Sequence, residues 1–166
     1  DGMSSELRLN VQSIAESSGS IADTVTHEFV HALQSEILGI QRGADWIVEG
    51  MAEAVSLRAG NAPGRRAIFD TTFSDALING SLPPLTALSN SIDWEAYGQS
   101  DAESRWLAQT AGYRAVAYLM DTFGAQVGFE ILTRMRLDSL TLDQALRSVT
   151  GLNISGLDAQ LRESAA

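Results

Sequence analysis

A mainly helical α+β domain is the fold class this sequence predicts, on three observations. Apolar residues recur at helical spacing over Ile21–Leu38 and again over Asp45–Ala59, and a longer run of the same kind leads from about Ser100 to Gly124. One stretch alternates instead: Glu6-Leu7-Arg8-Leu9-Asn10-Val11 reads as a single β-strand or hairpin edge near the N-terminus. A length of 166 residues with 45% hydrophobic content suits one domain with a substantial core.

In chain order, a polar Ser/Gly-rich stretch follows the strand. Ser18, Ser20 and Asp23 then offer side-chain oxygens suited to a helix N-terminus, and Gly39 offers a stop. The helix between carries an apolar stripe of Ile21, Val25, Phe29, Ala32 and Leu33 beside a polar face of Thr24, His27, His31 and Gln34. Two glycines before Asp45 let the chain turn back, so the next helix is expected to lie antiparallel to the first. Its apolar set is Trp46, Ile47, Val48, Met51, Val55 and Leu57, and Glu49 and Glu53, four residues apart, share one face.

Gly60-Asn61-Ala62-Pro63-Gly64 reads as a break, Arg65-Arg66 as a solvated loop, and residues 72–79 as a short helix beginning near Ser74. Gly80-Ser81-Leu82-Pro83-Pro84 is a second break, best read as a rigid loop. Loops between about residues 60 and 99 are expected to line a cleft. Five or more helices are expected in all.

Composition excludes several classes of partner. A net charge of -10 disfavours nucleic acid and anionic membrane surfaces, both of which reward clustered cations. No apolar run is long enough to span a bilayer and no basic-then-apolar leader is present, so a soluble domain without membrane insertion is expected. With no cysteine, neither disulfides nor thiolate metal sites contribute; every basic residue other than the histidines is arginine.

The most informative feature is His27-Glu28-Phe29-Val30-His31, an H-E-x-x-H motif containing both histidines of the chain. On a helix, positions i and i+4 stack on one face, so both imidazoles reach one zinc ion while Glu28 points to its open side. A helix gains little from burying two histidines and a glutamate unless something pairs with them, and a metal supplies that partner. Zinc needs a further protein ligand beside a water. Glu49 is the natural third ligand, and Glu53, one turn on, can accept the second ring N–H of a ligand histidine, most simply His27. The alternative for both glutamates is a solvated helix face.

His27-Glu28-Phe29-Val30-His31 followed by Trp46-Ile47-Val48-Glu49-Gly50-Met51-Ala52-Glu53 resembles the gluzincin zinc metallopeptidases, especially the peptidase MA-like family, in which H-E-x-x-H is followed by W-x-x-E-G-x-A-E. The resemblance implies His27, His31 and Glu49 as zinc ligands, Glu28 as general base and Glu53 as an acidic residue behind the ligands. It implies hydrolysis of peptide bonds by a metal-activated water. Gly50 and Ala52 imply close helix packing. A metzincin is disfavoured, because the positions for its glycine and third histidine hold Gln34 and Ile37.

The likeness extends to Tyr113-Arg114-Ala115-Val116-Ala117-Tyr118-Leu119 with Phe123-Gly124, similar to a later helix of the family. It implies a tyrosine that stabilises the oxyanion: Tyr113 is the candidate, with Tyr97 and Tyr118 as substitutes. The alternative for Tyr113 is a ring packed in the core.

Gluzincin-like domains usually set several strands before the motif helix, and about twenty residues are too few for a sheet. The chain is therefore expected to be a single gluzincin-like metallopeptidase domain, residues 1–166, N-terminally incomplete. Expected partners are a peptide or protein substrate and either the missing N-terminal part or a second copy; the resemblance favours an extracytoplasmic setting. Two rival readings stand beside the peptidase: a catalytically inactive pseudopeptidase that binds peptide or protein, and a structural domain that docks through its acidic face.

Overall fold

The computed structural model describes residues 21–38, 45–60, 63–89 and 91–164. In order the elements are α1 (Ile21–Leu38), α2 (Asp45–Ala59), α3 (Pro63–Ile78), a 3-10 turn (Leu85–Leu88), α4 (Ser91–Gln99), α5 (Ala102–Phe123), α6 (Val127–Leu137), α7 (Leu142–Thr150) and α8 (Ile154–Glu163). Among the described residues there is no strand, which corrects the expected α+β class to all-α. The backbone of these residues finds its hydrogen bonds within helices and their caps, leaving no sheet for them to join. The strand expected at residues 6–11 lies outside the described residues.

The centre of the molecule is α2 packed on α5, flanked by α1 and α3. Trp46, Ile47, Ala52 and Leu57 of α2 and Ala115, Val116 and Leu119 of α5 are buried in one continuous core. Small residues set the distance between these two helices. A Cβ on Gly50 would strike the carbonyl oxygen of Gly112, and one on Gly112 would lie 2.7 Å from the Trp46 carbonyl oxygen. The close packing expected at Gly50 is thus a backbone-to-backbone approach that only glycine permits.

α1 and α2 run antiparallel, as expected, because partners on α1 rise in number as those on α2 fall. Gln34 meets Val48, His31 meets Glu49 and His27 meets Glu53. On α1, however, the apolar stripe is not the covered side. Ile21 and Phe29 are each 57% exposed and Leu33 is 40% exposed, whereas Asp23, Val30 and Gln34 are buried. The polar face is the one turned onto α2 and the core. The same helix is tied at its far end to α6, where the Arg136 guanidinium donates to the Glu36 and Ile37 carbonyls.

α3 is longer than expected and absorbs Arg65-Arg66, which are helical and not in a loop. Pro63 occupies its first position, where the missing N–H costs nothing and the fixed φ favours entry. Phe69, Phe73 and Ala76 then bury at helical spacing. α5 follows its expectation: Asp101 caps the start by accepting from the Ser104 N–H at 2.9 Å, and Gly124, at φ 100°, ends it. The Pro83-Pro84 loop is clamped by Arg162 of α8, which donates to the Leu82 and Pro83 carbonyls. Among the described residues no helix is long and apolar enough to cross a membrane.

Candidate metal site

The antiparallel pairing of α1 and α2 delivers His27, His31 and Glu49 to one place. The two Nε2 atoms lie 3.0 Å apart, and Glu49 Oε2 is 3.7 Å from the first and 3.6 Å from the second. Three such donors, all within 4.8 Å of one another, form a group able to hold a metal ion. For tetrahedral zinc, bonds of about 2.0–2.2 Å set neighbouring donors roughly 3.3–3.6 Å apart. The observed edges straddle that spacing, so the donor set fits the ion without rearrangement of the helices.

Behind each imidazole sits a group that fixes its second nitrogen. His31 Nδ1 lies 2.8 Å from Gln34 Oε1, so its N–H donates there and Nε2 keeps its lone pair for the shared point. Gln34 in turn donates to the Val48 carbonyl at 2.8 Å, which orients the amide and stitches α1 to α2. His27 Nδ1 faces Glu53 Oε2 at 3.4 Å, the partnership the sequence suggested. The other oxygen of Glu53 pairs with Arg65 at 2.8 Å, so one carboxylate lies between a histidine and an arginine.

Without metal, the three donors form an acid–base cluster. Burial by itself would lower the His27 pKa, but the Glu49 and Glu53 carboxylates more than offset it and raise it to about 9. His31 is raised too, chiefly by Glu49, against the opposing effect of burial. Burial pushes Glu49 upward, yet hydrogen bonds from both histidines outweigh it and hold the carboxyl at about 2. Each of these shifts is the signature of carboxylate charge facing imidazoles at short range, the electrostatic environment a divalent cation would replace.

A cavity of about 240 Å³ opens beside this group. His27, Glu49 and Glu53 form one wall, and Thr24, Arg65, Phe69, Trp106 and Gln109 complete it. Glu28 is half-buried on α1 but is not among the cavity residues. Tyr113 is not among them either: its ring packs 4.6 Å from Phe69, and it lines a separate depression with Arg58, Arg66 and Arg114. Of the substitutes, Tyr118 places its hydroxyl 3.0 Å from Gln160 on α8. Tyr97 is half-buried on α4 and likewise absent from the cavity.

The structure therefore gathers His27, His31, Glu49 and Glu53, and leaves Tyr113 apart. Helical spacing puts Gln34 on the face of the histidines but does not disclose its role. The available signal was its position three residues after His31. Arg65, Phe69, Trp106 and Gln109 carried no signal, because only the packing of α3 and α5 against α2 brings them to the cavity. Comparison of the chain with models of known families, with curated proteins and with solved structures finds no match.

Proposed function

We propose that this chain is a zinc-dependent metallopeptidase of gluzincin type. The observation that carries the reading is the single locus formed by His27, His31 and Glu49, with Gln34 and Glu53 holding the outer ring nitrogens. Ion pairing alone asks only that carboxylates face imidazoles; here two Nε2 atoms and a carboxylate oxygen also converge on one point while the outer ring nitrogens are held from behind, the arrangement of a metal ligand set. When bound, the ion supplies Lewis-acid polarisation of a carbonyl and acidifies water.

The residues divide the remaining work. Glu28, one position along α1 from His27 and three before His31, takes a proton from the attacking water and passes it to the leaving amine. Gln34 and Glu53 keep both imidazoles in the tautomer that offers Nε2. Glu53 also holds Arg65 at the cavity wall, where its cation faces whatever enters. Trp106, half-buried and backed by the buried Phe69 ring at 4.6 Å between centroids, presents apolar surface to a substrate side chain.

Metal analysis joined to a peptide-library cleavage assay tests the reading. One zinc per chain with cleavage that stops on chelation and returns on zinc addition is the expected result. Zinc without cleavage assigns the chain to the pseudopeptidase alternative, and the absence of zinc uptake removes both in favour of an interaction domain.

A further inference from the structure

On the side of Phe69 occupied by Tyr113, the chain carries a second concentration of charge that the proposed function does not use. Arg58 from α2, Arg66 from α3 and Arg114 from α5 line one depression of about 450 Å³ together with Asp70, Asp121 and Tyr113. These are three of the 11 basic residues in a chain whose net charge is -10, so the cluster runs against the overall electrostatics. Two of the arginines are matched locally. Arg58 meets Asp121 at 2.6 Å and also donates to the Ala117 carbonyl. Arg114 meets Asp70 at 2.6 Å and lies over the Phe73 ring.

Two groups are left without such a match. Arg66 has no carboxylate within ion-pair distance among the described residues, so three cations against two carboxylates leave one positive charge over. The Tyr113 ring is buried, and its residue lines the depression with a hydroxyl that makes no hydrogen bond among the described residues and so is free to donate. The Nε of Arg114 is also buried without an acceptor. One unmatched cation and one hydroxyl free to donate, on a single depression, suit a ligand with one negative charge and acceptor lone pairs.

We propose that this depression binds a carboxylate, with Arg66 supplying the matching charge and the Tyr113 hydroxyl a hydrogen bond. A guanidinium fork suits the planar, two-oxygen geometry of that group. The excess of one charge favours a monoanion over a phosphate dianion, which Asp70 and Asp121 would also repel. The carboxylate can be the free terminus of a peptide or an acidic side chain. The site does not depend on the metal or on hydrolysis.

Calorimetric titration of the zinc-loaded protein tests this, with N-acetyl-Ala-Ala as free acid, the same dipeptide as its amide, N-acetylglutamic acid α-amide, and inorganic phosphate as probes. The free acid binds and the amide does not. Response to the glutamyl probe as well extends the ligand from chain termini to side chains, and its silence restricts the ligand to termini. Arg66→Gln weakens the free acid by about tenfold or more, the scale of one charge-assisted hydrogen bond, and Arg66→Lys recovers part of the loss. Arg66 lies on the surface, so these variants fold. Equal binding of acid and amide, tighter binding of phosphate, or undiminished acid binding by Arg66→Gln, as a carboxylate held at the metal group would give, each overturns the assignment.

Discussion

Arg65 and Arg66 are neighbours in sequence and turn to different sides of the same helix. Arg65 turns to the cavity beside the histidines and is held by Glu53; Arg66 turns to the depression shared with Arg58 and Arg114. Phe69 stands between the two regions, its ring against Trp106 on one side and Tyr113 on the other. On the metal side, carboxylates face imidazoles and the locus suits a cation. On the arginine side, cations outnumber carboxylates and the locus suits an anion. A helix advances 100° per residue, so a dipeptide that reads as one basic pair becomes two unrelated functional groups.

The largest expected effects separate the regions outright. His31→Ala removes a proposed ligand, and elemental analysis should find the metal gone while the free-acid dipeptide still binds beside Arg66. Glu28→Gln should retain zinc and lose cleavage by about a hundredfold or more, the range expected for a missing general base. A Glu28→Gln protein of undiminished turnover would remove Glu28 from the chemistry and leave the ligand assignment standing.

Breaking both regions together needs a change in what they share, the contact of α2 with α5. Gly50→Ala puts a methyl into the Gly112 carbonyl, and backbone has little room to retreat. Destabilisation of about 1–3 kcal/mol is expected, as for overpacked cores, read as a lowered midpoint in urea unfolding. Zinc and dipeptide affinities should fall in parallel. Loss of one alone would mean that the two sites do not depend on this contact in common.

How far the sequence disclosed these regions follows from which facts are local. The bounds of α1 and α2 were readable because periodicity and end signals sit within each segment, and the i, i+4 spacings of His27 with His31 and Glu49 with Glu53 fixed their shared faces. Periodicity showed that α1 has an apolar stripe but not which side its neighbours cover, and the polar face proved to be the covered one. Pro63-Gly64 carries the composition of a break, but a proline equally begins a helix, and here it does, which sets Arg65 and Phe69 on α3. Tyr113 resembled an oxyanion donor by its place in a pattern. Its ring direction depends on contacts with Phe69 that no local signal encodes.

Subtler variants act within the metal side alone. Gln34→Ala strips the acceptor from His31 Nδ1 and removes the side-chain hydrogen bond to the Val48 carbonyl that ties α1 to α2. Glu53→Gln weakens the hold on both His27 and Arg65. Each should reduce zinc affinity by about 10- to 100-fold, as outer partners of ligating histidines typically do, measured by competition with a chromogenic chelator. A Gln34→Ala protein with unchanged affinity would show that His31 is oriented by packing and not by its hydrogen bond.

The gentlest probe is pH, and it distinguishes the two regions by what can titrate in each. In the metal-free protein His27 is raised from 6.5 to about 9, so the stability it contributes is complete below 6.5 and disappears as pH rises through 9. Glu49, lowered from 4.5 to about 2, contributes above 4.5 and loses that contribution as pH falls through 2. Zinc competes with the imidazole protons, so its uptake strengthens over the same interval in which the metal-free fold weakens. The gain in melting temperature on adding zinc should therefore grow from pH 6.5 toward 9. Guanidinium groups keep their charge throughout, and burial and Asp70 both raise the Tyr113 phenol above its ordinary value of 10.0, so dipeptide binding beside Arg66 should stay level across that window. A zinc-induced gain that is flat with pH would mean that the histidines do not give up protons to the metal, and the ligand assignment would have to be abandoned.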